Sequence, residues 1–261
     1  MTDAYFTLGR DGWFKPTEHS RGPWDADACH AGPPTALLVR AVEALVPHQR
    51  LTRITVELTR PVPMAGFRVQ AEVRRLGRSV THTEAAIYGS DRFYARAFAL
   101  HIRTLDGLQV RTAESFSPLF SDSVEGPFPI DKSRHQLGTF ASAVDVRYDK
   151  ESGVGVGGPT TMWMRSKYPI LEGEEPSPFQ QIAPLADCGN GISYNDSIDV
   201  ISFPNTDLTI SLHRDPVGNW FGSRSVSHWQ PTGIGMSDSE LFDRHGAVGR
   251  ATQSLILDSA R

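Results

Sequence analysis

The chain has 261 residues, a length that fits one large domain or two smaller ones. Its 39% hydrophobic and 21% charged residues are typical of a globular protein with a sizeable core. The formal net charge of −4 argues against a general nucleic-acid-binding protein, which carries a basic face, and against an anionic membrane surface as the partner.

The N-terminus and the cysteines indicate the compartment. The first residues lack the basic start and the apolar run of a signal peptide. No stretch approaches the roughly 18 apolar residues that a membrane span requires. The two cysteines, Cys29 and Cys188, are far apart and lack the spacing of metal ligands. We therefore expect a cytoplasmic protein without a disulfide, a metal site or a membrane span.

The first half predicts one helix followed by a meander of strands. Pro33 and Pro34 suit the first turn of a helix, and an apolar face at helical spacing follows, so a helix is predicted over 32–46. Pro47 ends it. This order of elements predicts an α+β unit in which the helix covers one face of the sheet. The predicted strands are one around 54–58 and three over 67–76, 79–88 and 92–103.

A polar segment separates the first half of the chain from a second half with a similar pattern of elements. Residues 114–140 are rich in Ser, Pro, Asp and Gly and are predicted to form a linker. We therefore predict an N-terminal unit over 1–113 and a C-terminal unit over 141–261. The predicted elements of the second unit are a strand over 160–169, a short helix over 178–189 and three or four strands from 206 onward.

The two meanders align without a gap when one is shifted by 154 positions. The alternation of the strands stays in phase under this shift, which indicates a duplicated unit. The identical pairs are Thr52 and Thr206, Thr55 and Thr209, Leu58 and Leu212, Arg60 and Arg214, Phe67 and Phe221, Arg96 and Arg250, Ala97 and Ala251, and Ile102 and Ile256.

Differences between the two copies mark candidate functional residues. Gln253 occupies an otherwise apolar register of the last strand, where the first copy has Ala99. Burying an amide costs free energy unless it is hydrogen-bonded, so this replacement needs a reason. Asp187 ends the short helix, where a carboxylate faces the unfavourable end of the helix dipole. A glutamine bonded to backbone near a sheet edge and a solvent-exposed aspartate are the simpler alternatives.

Three further residues have two interpretations each. Asn205 lies where a strand begins, and it is either a functional amide or a turn residue after Pro204. His30 precedes the first helix, and it is either a ligand-binding residue or simply the residue that leads into the helix. Cys188 is a candidate nucleophile, but no partner histidine is near it in sequence. No G-x-S-x-G or H-E-x-x-H motif is present, which argues against a serine α/β-hydrolase and a zinc hydrolase.

Several of these segments resemble a known family. The stretches RGPWDADACHAGPPTALLVRAVEAL and LTRITVELTRPVP resemble the first half of bacterial type II acyl-CoA thioesterases. GEEPSPFQQIAPLADCGNG, PNTDLTISLHR and GRATQSLILD resemble the second half. The resemblance implies a double hotdog fold, in which two tandem helix-plus-antiparallel-sheet units form a pseudo-dimer. Further pairing into homo-oligomers is common in such folds.

The resemblance also implies an activity in lipid metabolism, the hydrolysis of acyl-CoA to free acid and CoA without a metal, cofactor or covalent intermediate. In that class an aspartate after the second-half helix, a Ser or Thr at the start of the next strand and a glutamine in the last strand hold the attacking water. By motif these positions fall on Asp187, Asn205 and Gln253. Asn205 departs from the Ser/Thr pattern, although Thr206 is one residue away.

Substrate binding is expected from the start of the first helix, where the backbone N–H of Gly32 is a candidate donor to the developing oxyanion and His30 lies beside it. Two other functions are rivals. One is a hotdog acyl-CoA hydratase or dehydratase, which would need a histidine such as His228. The other is a non-catalytic protein that binds acyl-CoA or an acyl group.

Overall fold

The structure of the chain, a computed structural model, describes residues 3–113, 118–130, 138–150 and 158–260. Within these ranges no helix is long and apolar enough to cross a membrane. The helices are Gly32–Leu45 (α1), Pro178–Ala186 (α2) and Gly189–Ile192 (α3). The strands are Phe6–Leu8 (β1), Phe14–Pro16 (β2), Arg50–Leu58 (β3), Arg68–Arg75 (β4), Val80–Tyr88 (β5), Phe93–Ile102 (β6), Ser123–Glu125 (β7), Val144–Asp149 (β8), Thr160–Ser166 (β9), Ile201–Ser202 (β10), Asp207–Leu212 (β11), Phe221–Trp229 (β12), Ile234–Asp243 (β13), Gly246–Ile256 (β14) and Asp258–Ser259 (β15).

One antiparallel sheet of eleven strands dominates the fold, in the order β4-β5-β6-β3-β11-β14-β13-β12-β9-β8-β7. Read outward from its middle, each half repeats one order: β3-β6-β5-β4 on one side and β11-β14-β13-β12 on the other. The two halves join where β3 pairs with β11. Two small sheets, β1-β2 and β10-β15, lie apart from it. The two predicted meanders are therefore separate copies of one topology joined edge to edge.

The strand register confirms the predicted duplication. Thr55 and Thr209 face each other across the β3–β11 junction, and the Thr209 hydroxyl donates to Thr55 Oγ1 over 3.0 Å. These two residues differ by the 154 positions of the sequence shift, so a pseudo-two-fold axis passes between them. The neighbouring pairings follow the same shift, since Thr55 pairs with Phe98 and Thr209 pairs with Thr252.

The helices pack on each other over one face of the sheet. Gly32 makes their close crossing possible, because a Cβ at this position would lie 2.8 Å from Pro184 Cα. Apolar side chains from both helices and from the paired central strands form one continuous core. Among its buried members are Leu37, Leu38 and Val42 of α1, Ile182 and Leu185 of α2, Ile54 and Val56 of β3, and Leu208 and Ile210 of β11.

The segment predicted to be a linker contributes to the sheet. Its residues Ser123–Glu125 form β7, which pairs with β8 at the far edge. The composition of the segment predicts no strand here, because the extended conformation of this Ser-Val-Glu tripeptide depends on pairing with an existing sheet edge. Of the predicted linker, residues 114–117 and 131–137 lie outside the described residues. The boundaries of the two units stay a prediction.

An ion pair between half-buried Arg214 and buried Asp243 stabilises one end of the second unit. Asp243 is fully buried and accepts from both terminal nitrogens of Arg214, at 2.6 and 2.8 Å. It also accepts from the backbone N–H groups of Val217 and His245, at 2.8 and 2.7 Å. Burial alone favours the neutral acid, but these hydrogen bonds outweigh it and lower the pKa of Asp243 from its usual value.

We expect Asp243→Asn to lower the free energy of unfolding at neutral pH by roughly 1–3 kcal/mol, because the bidentate charged pair is lost. The folded-state pKa of Asp243 lies below the unfolded value, so its stabilisation is present above the unfolded pKa of about 4 and is lost as the pH falls through the folded value. Urea unfolding of parent and variant at pH 7 and in mild acid should show the difference shrinking. Equal stability at pH 7 would contradict the assignment.

Candidate active site

The helix is interrupted between α2 and α3 at Asp187 and Cys188, although both residues keep right-handed helical backbone angles. The helix predicted over 178–189 ends earlier because the Gln253 side chain binds the backbone of this break. Its Nε2 donates to the Asp187 carbonyl over 3.1 Å, and its Oε1 accepts from the Asn190 N–H over 3.0 Å. These two backbone groups are therefore satisfied without a continuous helix.

A glycine lets the break approach the sheet. A Cβ at Gly189 would lie 2.7, 2.8 and 2.9 Å from Ser239 Oγ, Ser237 Oγ and Gln253 Oε1. No larger residue fits there without displacing the sheet side chains. Gly189 and Gln253 together fix the position of Asp187 relative to β13 and β14.

The carboxylate of Asp187 is the centre of the site. It is buried, and its Oδ1 accepts from Asn205 Nδ2 over 3.0 Å and from Gln253 Nε2 over 3.3 Å. Its Oδ2 lies 3.1 Å from His30 Nδ1. The structure therefore brings the three residues suggested by the sequence together and adds His30 as a fourth.

Asn205 lies at the entrance to β11, where it forms an isolated bridge with Leu255 of β14. Its Nδ2 donates to the Asp207 carbonyl over 3.2 Å as well as to Asp187. Its Oδ1 has no hydrogen-bond partner among the residues that the structure describes. One end of this amide thus holds the carboxylate and the other remains available to a ligand.

Gln253 lies in the predicted group with Asp187 and Asn205, on the side of the carboxylate away from the cavity. Its side chain is 2% exposed, and both ends of its amide bind protein atoms of the α2–α3 break. The family resemblance implies that Gln253 helps to hold the water, and its contacts in the structure also position Asp187. Gln253 is thus bonded to backbone, as the simpler alternative has it. The backbone that it binds is that of Asp187, which carries the central carboxylate.

The first unit contributes His30 and Gly32. The His30 ring is stacked on Phe140, with 4.3 Å between ring centroids, and its Nδ1 faces both Asp187 and the Gly32 N–H, each at 3.1 Å. His30 was expected at the substrate, but its contact with Asp187 was not expected from the sequence. These residues are far apart in the chain, and only the packing of α1 on α2 brings them together.

A cavity of about 360 Å³ opens onto these groups. His30, Asp187 and Asn205 lie in its wall, and its remaining surface is mostly apolar. This combination of apolar walls with a few converging polar groups is typical of a small-molecule site. The apolar wall residues include Trp24, Ala28, Leu58, Val62, Phe128, Ile130 and Ile256.

The two cysteines are poor candidates for a nucleophile, and His228, the histidine that a hydratase or dehydratase would need, lies away from the cavity. Burial raises the pKa of both Cys29 and Cys188, and the Cys188 thiol donates to the Pro184 carbonyl at 3.2 Å. Both thiols are therefore protonated at neutral pH and poor nucleophiles. His228 lies exposed on β12, outside the cavity wall. Across the described ranges, no three His, Cys, Asp or Glu side chains are grouped to hold a metal ion.

The pseudo-two-fold axis also relates this cavity to a second one. A cavity of about 420 Å³ lies at the C-terminal end of α1 and is lined in part by Glu43, Leu51 and Ser177. Glu43 Oε2 accepts from Ser177 Oγ over 2.7 Å and from Gln180 Nε2 over 2.9 Å. A carboxylate thus occurs in both cavities, held in each by a residue that precedes the opposite helix.

The second cavity lacks the other groups of the first. Under the shift of 154 positions, Leu51 stands for Asn205 and Ala99 for Gln253. The first residue of α2 is Pro178, which has no N–H to offer a ligand, whereas α1 begins with Gly32. The second cavity therefore has no counterpart of the Asn205 and Gln253 amides or of the N–H at the start of α1.

Comparison with known proteins gives two matches to family models. Residues 20–102 match the acyl-CoA thioesterase N-terminal domain, and residues 120–257 match the acyl-CoA thioesterase C-terminal domain. The second match alone spans more than half of the chain, and the two together include every residue of the site. A search of curated proteins gives no significant match.

Solved structures with a similar fold cover nearly the whole chain. A protein from Thermobifida fusca assigned as a thioesterase II has a TM-score of 0.76 at 15% identity, over 99% of this chain and 98% of its own. A hot dog-fold protein of unknown function from Alicyclobacillus acidocaldarius has 0.73 at 15%, over 98% and 97%. Acyl-CoA thioesterase II TesB2 from Mycobacterium marinum has 0.66 at 14%, over 97% and 94%. The predicted double hotdog fold is confirmed.

Proposed function

The chain belongs to the acyl-CoA thioesterase family and is a thioester hydrolase, and we propose that its attacking water is held by Asp187 and Asn205. The substrate would be an acyl-CoA, which is cleaved to the free acid and CoA. The observation that carries the proposal is the convergence of a buried carboxylate, the Asn205 amide and an imidazole on the wall of an apolar cavity, with the Gln253 amide bound behind the carboxylate.

The hydrogen bonds leave a defined place for the water. A carboxylate offers about four lone-pair sites. In Asp187 the two amides occupy Oδ1, and His30 takes one site of Oδ2, so Oδ2 can accept one more hydrogen bond. A water that donates one hydrogen to Asp187 Oδ2 and the other to Asn205 Oδ1 has a lone pair left to attack the thioester carbonyl.

Asp187 then acts as a general base. As the water oxygen attacks the carbonyl carbon, its proton passes to Asp187, and the tetrahedral intermediate collapses with loss of the CoA thiolate. The proton returns to that thiolate or to solvent. Holding water and thioester together supplies proximity.

The remaining groups supply position and charge stabilisation. Gln253 fixes the backbone that carries Asp187. We assign the carbonyl oxygen to the Gly32 N–H at the first turn of α1, where the helix presents positive potential; in the structure this N–H lies 3.1 Å from His30 Nδ1. The apolar wall would receive the acyl chain.

A turnover assay tests this function. The purified protein, dialysed against a chelator, is mixed with straight-chain acyl-CoAs from acetyl to palmitoyl, and released thiol is measured. We expect saturable thiol release that the chelator does not change. An inert protein across the whole panel, or activity that returns only with added metal, would contradict the proposal.

A further inference from the structure

His30 Nδ1 has two neighbours that make opposite demands on it. It lies 3.1 Å from Asp187 Oδ2, an acceptor, and 3.1 Å from the Gly32 N–H, a donor. One ring nitrogen carries either a proton or a lone pair in the ring plane. It can therefore donate to Asp187 or accept from Gly32, but it cannot do both.

The two protonation patterns have different consequences for the site. With Nδ1 unprotonated, its lone pair binds the Gly32 N–H and also faces the Asp187 carboxylate, which is repulsive. With Nδ1 protonated, it donates to Asp187, and the Gly32 N–H is left without that acceptor. A charge-assisted bond to a carboxylate is about twice as strong as a neutral one, so the second pattern is favoured.

We propose that His30 is a positioning residue that donates from Nδ1 to Asp187 and so keeps the Gly32 N–H free for the thioester carbonyl oxygen. The inference rests on the proposed function and deepens it. One imidazole thereby couples the two parts of the reaction: it orients the base of the second unit and leaves the oxyanion donor of the first unit unoccupied.

The ring is held in place for this task. It stacks on Phe140 at 4.3 Å between centroids with an interplanar angle of 27°, and the Phe128 ring lies 6.4 Å away at 73°. Only 11% of the His30 side chain is exposed. These contacts limit rotation of the imidazole, so Nδ1 keeps facing the region between Asp187 and Gly32.

Two substitutions of nearly equal shape test whether a hydrogen-bond donor or an acceptor is needed at the position of His30 Nδ1. His30→Asn places an amide N–H close to where Nδ1 lies, so turnover should stay within roughly threefold of the parent. His30→Asp places a carboxylate there, which repels Asp187 and accepts from Gly32. Its kcat should fall roughly 10- to 100-fold, with a smaller change in KM. A merely structural role would make the two variants equal in kcat.

A binding measurement tests the Gly32 part without turnover. Two non-hydrolysable acyl-CoA analogues are compared, a ketone with CH₂ in place of sulfur and a thioether with CH₂ in place of the carbonyl. The parent and His30→Asn should bind the ketone roughly three- to tenfold more tightly than the thioether. His30→Asp should lose this preference.

The outcomes distinguish this inference from the proposed function. An inert parent would overturn the hydrolytic function, whereas the analogue preference still tests the role of His30. Equal kcat for the two variants, in an active parent, would overturn the inference and leave the hydrolytic function standing. Unchanged preference for the ketone in His30→Asp would overturn it as well.

Discussion

Replacing Asp187 with asparagine is expected to lower acyl-CoA turnover by roughly 100-fold or more, the range typical of the loss of a general base. The variant keeps the shape of the side chain and an oxygen that can accept from Asn205. It loses the negative charge that draws the proton from water. The variant loses some hydrogen bonds but no longer buries a charge, and these effects oppose each other, so the melting temperature should stay close to that of the parent. Steady-state kinetics and thermal unfolding measure both effects.

Asp243→Asn is the matched control. Asp243 is also a buried, multiply hydrogen-bonded aspartate, but it lies at the end of β13, outside the cavity. Its substitution should lower stability and leave turnover per folded molecule unchanged, the reverse of the result at Asp187. Turnover at the parent rate in Asp187→Asn would show that another group activates the water.

Replacing Gln253 with alanine is expected to lower turnover roughly 10- to 100-fold, because the backbone that carries Asp187 is no longer fixed. The first unit already has Ala99 at the equivalent position, so the sheet tolerates the smaller residue. The carbonyl of Asp187 and the N–H of Asn190 each lose a partner, which costs roughly 1–3 kcal/mol of stability. Activity should therefore be measured well below the melting temperature.

Gln180→Ala provides the comparison for Gln253→Ala. Gln180 is likewise a buried amide, and it donates to Glu43 in the second cavity. Its removal should lower stability with unchanged kcat. If both glutamine variants lose activity in proportion to stability alone, the positioning role of Gln253 is excluded.

The departure at Asn205 from the Ser/Thr pattern has a physical explanation in the structure. A hydroxyl donates one hydrogen bond and accepts others, and an amide does the same with separate atoms. Asn205 gives Asp187 a hydrogen bond from Nδ2, while Oδ1 stays available to water. In the proposed mechanism, the two ends of this one side chain would perform both tasks of a hydroxyl.

The sequence predicted those parts of the fold that depend on local pattern. The helical spacing after Pro33 predicted α1, and period-two alternation predicted the meander strands close to their observed bounds. The contrast between Gln253 and Ala99 singled out a buried amide within the repeat. Asp187 was conspicuous because a carboxylate is unfavourable at a helix C-terminus.

Features that depend on distant partners were not predictable in this way. The strand β7 exists through pairing with β8, and α2 ends early because a side chain from β14 binds its last turn. The contact of His30 with Asp187 requires the packing of α1 on α2, which no spacing in the chain encodes. The family resemblance supplied roles for single residues but not these contacts.

The central claim is that Asp187 activates water and does not itself attack the thioester. A single turnover with excess protein in H₂¹⁸O tests it, with the label traced in the released acid and in the peptide that contains Asp187. The account predicts heavy oxygen in the acid after that one turnover and none in the peptide. Heavy oxygen in the Asp187 carboxylate, or release of unlabelled acid, would reveal an acyl-aspartate intermediate and contradict it.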